Sequence, residues 1–134
     1  MRHKWELPPD LEAGGLTYSF VFTYHGQLRM KVTGAGRIPG AEEPQPWLRY
    51  QDRIAELWID EGMTEIGPRA FCGHAALKKV WLPESMKEVG YMAFRDCPGL
   101  EEVEYIGTFD QLQGTGLTDS LPEQFYREVE TDAL

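Results

Sequence analysis

The feature that most limits what this chain can fold into is an internal repeat. Residues 63–85 (MTEIGPRAFCGHAALKKVWLPES) align with residues 86–108 (MKEVGYMAFRDCPGLEEVEYIGT) at a period of 23. Identities fall at Met63/Met86, Glu65/Glu88, Gly67/Gly90, Ala70/Ala93, Phe71/Phe94, Leu77/Leu100 and Val80/Val103, and Ile66/Val89 and Leu82/Tyr105 exchange one apolar or aromatic residue for another. One period upstream of Leu77, Val80 and Leu82 stand Ile54, Leu57 and Ile59, so half a copy precedes the two full ones. The pattern L-x-x-[LV]-x-[ILY] closes on two apolar residues two apart. In a strand both face one side, and the residue between them faces the other. A unit this short cannot bury its apolar face alone, so the copies must stack, each strand covering the next. Each copy reads as a short strand, a turn, and a brief helical or extended return around Ala70–Phe71 or Ala93–Phe94.

The flanks supply what a stack needs at its ends. From Leu16 to Tyr24, Leu16, Tyr18, Phe20, Phe22 and Tyr24 alternate with Thr17, Ser19, Val21 and Thr23, the period of a strand. His25–Gly26 offers a turn, and Leu28, Met30 and Val32 alternate with Arg29, Lys31 and Thr33 on the way back. This predicts a β-hairpin that caps the first rung, which would otherwise expose apolar side chains and unpaired backbone. Residues 34–46 read as loop. A short helix is expected over 46–54, with Trp47 and Tyr50 on one face. Gly114 and Gly116 break the chain, and Leu121–Tyr126 is expected to form a last helical turn over the open end. The division is a polar arm (1–15), hairpin and capping segment (16–53), repeats (54–108) and C-terminal cap or tail (109–134).

The repeat is similar to the BspA-like leucine-rich repeats of bacterial surface proteins, whose string is ITEIGxxAFxGCxxLxxVxLPxSVxxIGxxAFxxCxxL. The matching residues are Glu65, Ile66, Gly67, Ala70, Phe71, Leu77, Val80 and Leu82–Ser85, then Glu88–Gly90, Ala93, Phe94, Cys97 and Leu100. Upstream, Leu28–Gly34, Gly36, Pro39, Pro46, Trp47, Tyr50 and Ile54–Met63 match the segment that precedes the first repeat in that family, and Tyr105, Gly107 and Thr108 match its closing Y-x-G-T. The resemblance covers roughly residues 16 to 112. It implies a solenoid used for binding, with no shared catalytic residues. The expected fold is therefore α+β, mainly β: a short leucine-rich-repeat solenoid of three stacked parallel strands with an N-terminal β-hairpin cap.

Composition narrows the partners. Thirteen Lys and Arg against 22 Asp and Glu give a formal charge of −9 on 134 residues, so the chain lacks the basic face that nucleic acid or an anionic membrane surface requires. A hydrophobic content of 42% with four Trp, six Tyr and six Phe is too rich for a disordered acidic tail. No run of about 18 apolar residues exists to cross a bilayer. Glu6, Pro8, Pro9 and Asp10 stand where a signal peptide would be apolar. As written, the chain reads as cytoplasmic, or at the cell surface if it is cut from a larger exported protein.

Several constellations that carry chemistry elsewhere are weak here. Cys72, His74 and Cys97 are thiolate and imidazole ligands in kind, but no paired CxxC exists, and His74 shares a repeat column with Cys97, so packing is the expected role. A Cys72–Cys97 bridge would join neighbouring rungs two columns out of register. Catalysis by Cys72 with His74 as base lacks a third, orienting group. Gly34 and Gly36 follow a strand but lack the rest of a phosphate loop. Glu42, Glu43, Asp60, Glu61, Glu101, Glu102 and Glu104 read as solvated. No catalytic residue, metal site or cofactor is expected.

The distinctive positions are outward on the repeat strands: Glu56, Trp58 and Asp60, then Lys79, Trp81 and Pro83, then Glu102, Glu104 and Ile106. With rungs about 4.8 Å apart, Trp58, Trp81 and Glu104 should form one ladder. Tryptophan offers large contact area with few rotors to freeze. The expected function is a non-enzymatic module that binds a protein, one of basic character, through Trp58, Trp81, Lys79, Glu102 and Glu104. The alternatives are a self-associating homo-oligomeric scaffold and a carbohydrate or surface-adhesion module. Against all three, the two tryptophans would simply be covered by Trp5 or by Phe125 and Tyr126.

Overall fold

The computed structural model describes residues 6–126. Strands β1 (Leu11–Ala13), β2 (Leu16–Phe22) and β3 (Leu28–Thr33) form an antiparallel meander, and β4 (Gly36–Ile38) follows at once. The repeats supply β5 (Ile54–Ile59), β6 (Met63–Ile66), β7 (Lys79–Leu82), β8 (Glu88–Val89) and β9 (Glu102–Tyr105), and α1 (Phe109–Gly114) opens the C-terminal segment. Two sheets result: a six-stranded one in the order β1-β2-β3-β5-β7-β9 and a three-stranded one in the order β4-β6-β8. The chain is a mainly β, leucine-rich-repeat-like solenoid whose turns pass from the large sheet to the small one and back.

The three repeat strands stack in parallel and in the register of the 23-residue columns: Glu56, Leu57 and Trp58 sit opposite Lys79, Val80 and Trp81, which sit opposite Glu102, Val103 and Glu104. The hairpin does more than cover the first rung. Its return strand β3 runs parallel to β5, with Met30 opposite Leu57 and Val32 opposite Ile59. Leu28, Met30 and Val32 are fully buried; they have the two-residue spacing of Leu57 and Ile59 and so extend the same apolar columns.

Two short elements fall where a different structure is expected. Leu11–Ala13, within the polar arm, pairs with β2, and Gly36–Ile38, within the expected loop, pairs in parallel with β6. Strands of two to four residues show too little alternation for the pattern to register. The second sheet has its own columns: Met63 and Ile66 in one rung and Met86 and Val89 in the next, all buried. The expected helix at 46–54 is a single 3-10 turn, Leu48–Tyr50, that leaves Trp47 buried and Tyr50 edge-on to Phe20.

Between β6 and β7 and between β8 and β9 the chain makes tight turns that repeat in backbone conformation. Arg69 and Met92 share one column and φ values of 56° and 57°, and Gly73 and Asp96 share another at 79° and 56°. Phe71 and Gly73 donate their amides to the carbonyls of Ala93 and Arg95 on the next rung. The repeated phenylalanine fills the space inside: Tyr18 packs tilted on Trp47, and Trp47, Phe71 and Phe94 stack in sequence, with centroid separations of 5.3, 5.1 and 5.6 Å. This aromatic column threads the core from hairpin to last rung.

The C-terminal segment takes the place of a further rung on the side of the small sheet. Val89 donates its amide to Thr115 O and Phe94 to Ser120 O, while Ser120 Oγ donates to Gly90 O. The Gln124 amide donates to the carbonyls of Cys97 and Leu100. Thr108 and Gln111 form a reciprocal capping box that starts α1, and Glu123–Tyr126 makes the expected closing turn.

Candidate functional site

The open face of the large sheet carries two side-chain ladders. In the first, Arg29, Glu56, Lys79 and Glu102 are successive cross-strand partners, so charge alternates from rung to rung. Arg29 Nε meets Glu56 at 2.9 Å, and Lys79 Nζ meets Glu102 at 3.4 Å and Glu104 at 3.5 Å. In the second, Lys31, Trp58, Trp81 and Glu104 are partners. The two indoles stack with centroids 5.2 Å apart and planes at 27°, an offset geometry that the ring quadrupoles favour.

All five residues singled out in the sequence therefore lie together: Trp58, Trp81, Lys79, Glu102 and Glu104. Trp58 retains 37% exposure, Trp81 is half-buried, and Glu102 and Glu104 are exposed. Arg29 was not among them. Its guanidinium carbon sits 5.5 Å from the Trp58 ring and 5.2 Å from the Trp81 ring, while Lys79 Nζ is 4.5 Å from Trp81. The 23-residue period does not reach it, because one period before Glu56 stands Thr33; only the observed register, with Met30 opposite Leu57, puts Arg29 in that ladder. Pro83, expected outward with them, is buried yet lines the groove beside the two indoles. Phe125 packs against the core; Trp5 and the side chain of Tyr126 lie outside what is described.

At the C-terminal ends of the strands the face deepens into a groove of about 300 Å³ lined by Trp58, Asp60, Glu61, Trp81, Pro83, Glu104, Tyr105 and Ile106, together with the strand-end residues Ile59 and Leu82. Tyr105 is in the inward column opposite Leu82, yet it is only half-buried because no strand follows β9 among the described residues. Its position depends on Gly107, where a Cβ would come within 2.6 Å of the phenol oxygen. Partial burial, and then the charges of Glu84 and Glu61, raise the Tyr105 phenol above its ordinary range. Glu61 also accepts the Glu84 amide at 3.0 Å.

The cysteine and histidine cluster is interior. His74 is buried, and its Nε2 accepts the Trp47 indole N–H at 3.0 Å; among the described residues Nδ1 meets no hydrogen-bond partner. Burial lowers the affinity of His74 for a proton, outweighing the nearby backbone of Cys72 and Phe71 and the charge of Asp52. Cys72 and Cys97 are free thiols. Cys97 donates to Phe71 O at 3.1 Å, and burial pushes its pKa up to about 11, away from the reactive thiolate. Burial, aided by Asp96 at 3.8 Å from Sγ, also raises the Cys72 thiol. Among the described residues no group of three or more His, Cys, Asp or Glu side chains is placed to hold a metal ion, and no helix is long and apolar enough to cross a membrane.

Comparison with known proteins agrees with this architecture. The model of the BspA type leucine rich repeat region matches residues 48–117. A leucine-rich repeat protein from Eubacterium ventriosum ATCC 27560 superposes with a TM-score of 0.59 at 25% identity, covering 70% of this chain and 24% of its own. A leucine rich cell surface protein from Faecalibacterium prausnitzii A2-165 aligns at TM-score 0.39 and 25% identity over 75% of this chain and 33% of its own. The pneumococcal vaccine antigen PcpA aligns at TM-score 0.35 and 13% identity over 75% and 38%. The chain thus spans a quarter to about two fifths of the length of these structures. No curated protein matches it. Such repeats form a generic module that usually mediates protein interaction or adhesion. By its repeat columns, its two-sheet solenoid and the match over residues 48–117, the chain belongs to the family of BspA-type leucine-rich-repeat proteins.

Proposed function

We propose that the chain is a non-enzymatic binding module that recognises a protein through the open face of its large sheet. The observation that carries this reading is the stacked Trp58–Trp81 pair, held on a parallel sheet with Trp58 more than a third exposed. Large aromatics at the centre of a polar rim are where binding energy concentrates, and here Arg29, Lys79, Glu102 and Glu104 form that rim. Because the sheet already fixes the indoles, docking costs little side-chain entropy.

Capture of partners by the purified chain, from cell lysate and from surface extract, compared with the double variant Trp58→Ala/Trp81→Ala, tests the reading. The variant is expected to keep its fold by circular dichroism and to lose the partner, since alanine at a hot-spot aromatic costs about 2–4 kcal/mol of binding. Undiminished capture by a folded double variant would overturn it.

A further inference from the structure

Cations are distributed unevenly around the two indoles. On their N-terminal side Arg29 lies over both rings with its guanidinium tied to Glu56, and Lys79 lies over Trp81 between Glu102 and Glu104. On their C-terminal side the groove brings together Asp60, Glu61 and Glu104, and among the described residues no Lys or Arg lines it. Lys31 approaches Asp60 only at 3.9 Å, and Lys79 already serves Glu104. Among the described residues neither Glu61 nor Glu84 has an ion pair.

We propose that this groove receives an arginine side chain of the partner protein, its guanidinium among Asp60, Glu61 and Glu104 and its stem against Trp58, Trp81 and Tyr105. The assignment rests on the reading of the face as a protein-binding surface and adds the chemistry of its occupant. Three observations carry it. The chain itself shows, in Arg29, that this indole pair takes a guanidinium held by a carboxylate. The groove offers the same two chemistries, ring faces and carboxylate oxygens, which together suit a planar cation better than a point charge. The net charge of −9 favours a basic partner in the approach as well.

The test uses blocked peptides and the full chain. Acetyl-Gly-Arg-Gly-Arg-Gly-amide is titrated while the indole N–H resonances of Trp58 and Trp81 are followed by NMR, alongside the peptide with citrulline in place of arginine and a cello-oligosaccharide. The arginine peptide is expected to shift both resonances saturably and to weaken about tenfold as citrulline or against Glu61→Gln/Glu104→Gln, the loss expected for a charge-assisted hydrogen bond. Equal binding of the citrulline peptide, perturbation by the sugar instead, or no shift at millimolar arginine peptide overturns the assignment. Citrulline leaves the protein untouched, so the result does not depend on the variant's folding. If the arginine peptide leaves the groove unchanged while Trp58→Ala/Trp81→Ala still abolishes capture, the cation assignment falls and the face reading stands. If the peptide binds but capture is unaffected, the face reading falls.

Discussion

At the scale of single residues, His74 shows how an imidazole can be structural. It occupies the column that holds Cys97 one rung later, and both are buried. Accepting the Trp47 indole requires an unprotonated Nε2, and burial holds the ring's pKa below that of the unfolded chain. The unfolded state therefore binds the extra proton first. The contribution is fully present above about pH 6.5 and is lost as pH falls from there through the folded pKa, at up to about 1.4 kcal/mol per pH unit. Urea midpoints of the native chain should fall between about pH 7 and pH 5, more than those of His74→Gln, whose amide can accept the indole without titrating. Equal slopes in the two proteins would remove His74 as the cause. None of this was legible in the sequence, where Trp47 and His74 share no column; what was legible, the His74–Cys97 equivalence, correctly pointed to packing.

At the scale of elements, glycine acts in two different ways in the turns. Gly73 adopts φ 79° with open space where a Cβ would be, while a Cβ at Gly90 would sit 2.6 Å from the Gly67 carbonyl carbon and 2.8 Å from Ile66 O. Gly73→Ala should cost only the left-handed penalty, about 1 kcal/mol, a cost Asp96 already bears in the same column. Gly90→Ala must push rungs apart and should cost about 3 kcal/mol or more. Denaturant unfolding of the two variants measures the difference, and a Gly73 variant as damaged as the Gly90 variant would contradict the close-approach account. The identity of Gly67 and Gly90 marked the column, but only stacking reveals that one glycine sits against the other. At the outer edge of the large sheet, β9 alternates exposed Glu102 and Glu104 with half-buried Val103 and Tyr105, and charge at a strand edge discourages unplanned pairing.

At the scale of the whole molecule, the stack has few rungs and so depends on its ends. The C-terminal segment answers backbone groups of Val89, Gly90, Phe94, Cys97 and Leu100 and buries Leu117. A chain ending at Gly107 would leave those groups to water and open the Phe71–Phe94 stack. It should lose its single cooperative thermal transition by circular dichroism, because in a solenoid each rung is stabilised chiefly by its neighbours. A sharp transition at an unchanged midpoint would show that residues 108–134 are dispensable.

The sequence by itself determined the rungs and their register. A strand repeats every two residues and the chain every 23, so equal columns must meet, and Trp58, Trp81 and Glu104 align from the repeat alone. Tertiary structure alone decided the contacts between residues that share no column: β3 joining the parallel stack, the small sheet with its two- to four-residue strands, Arg29 over both indoles, and Trp47 bonded to His74. The physical reason is the range of the interaction. Periodicity records what each residue repeats along the chain, whereas packing in the core and on the face depends on which distant side chain the fold delivers to it.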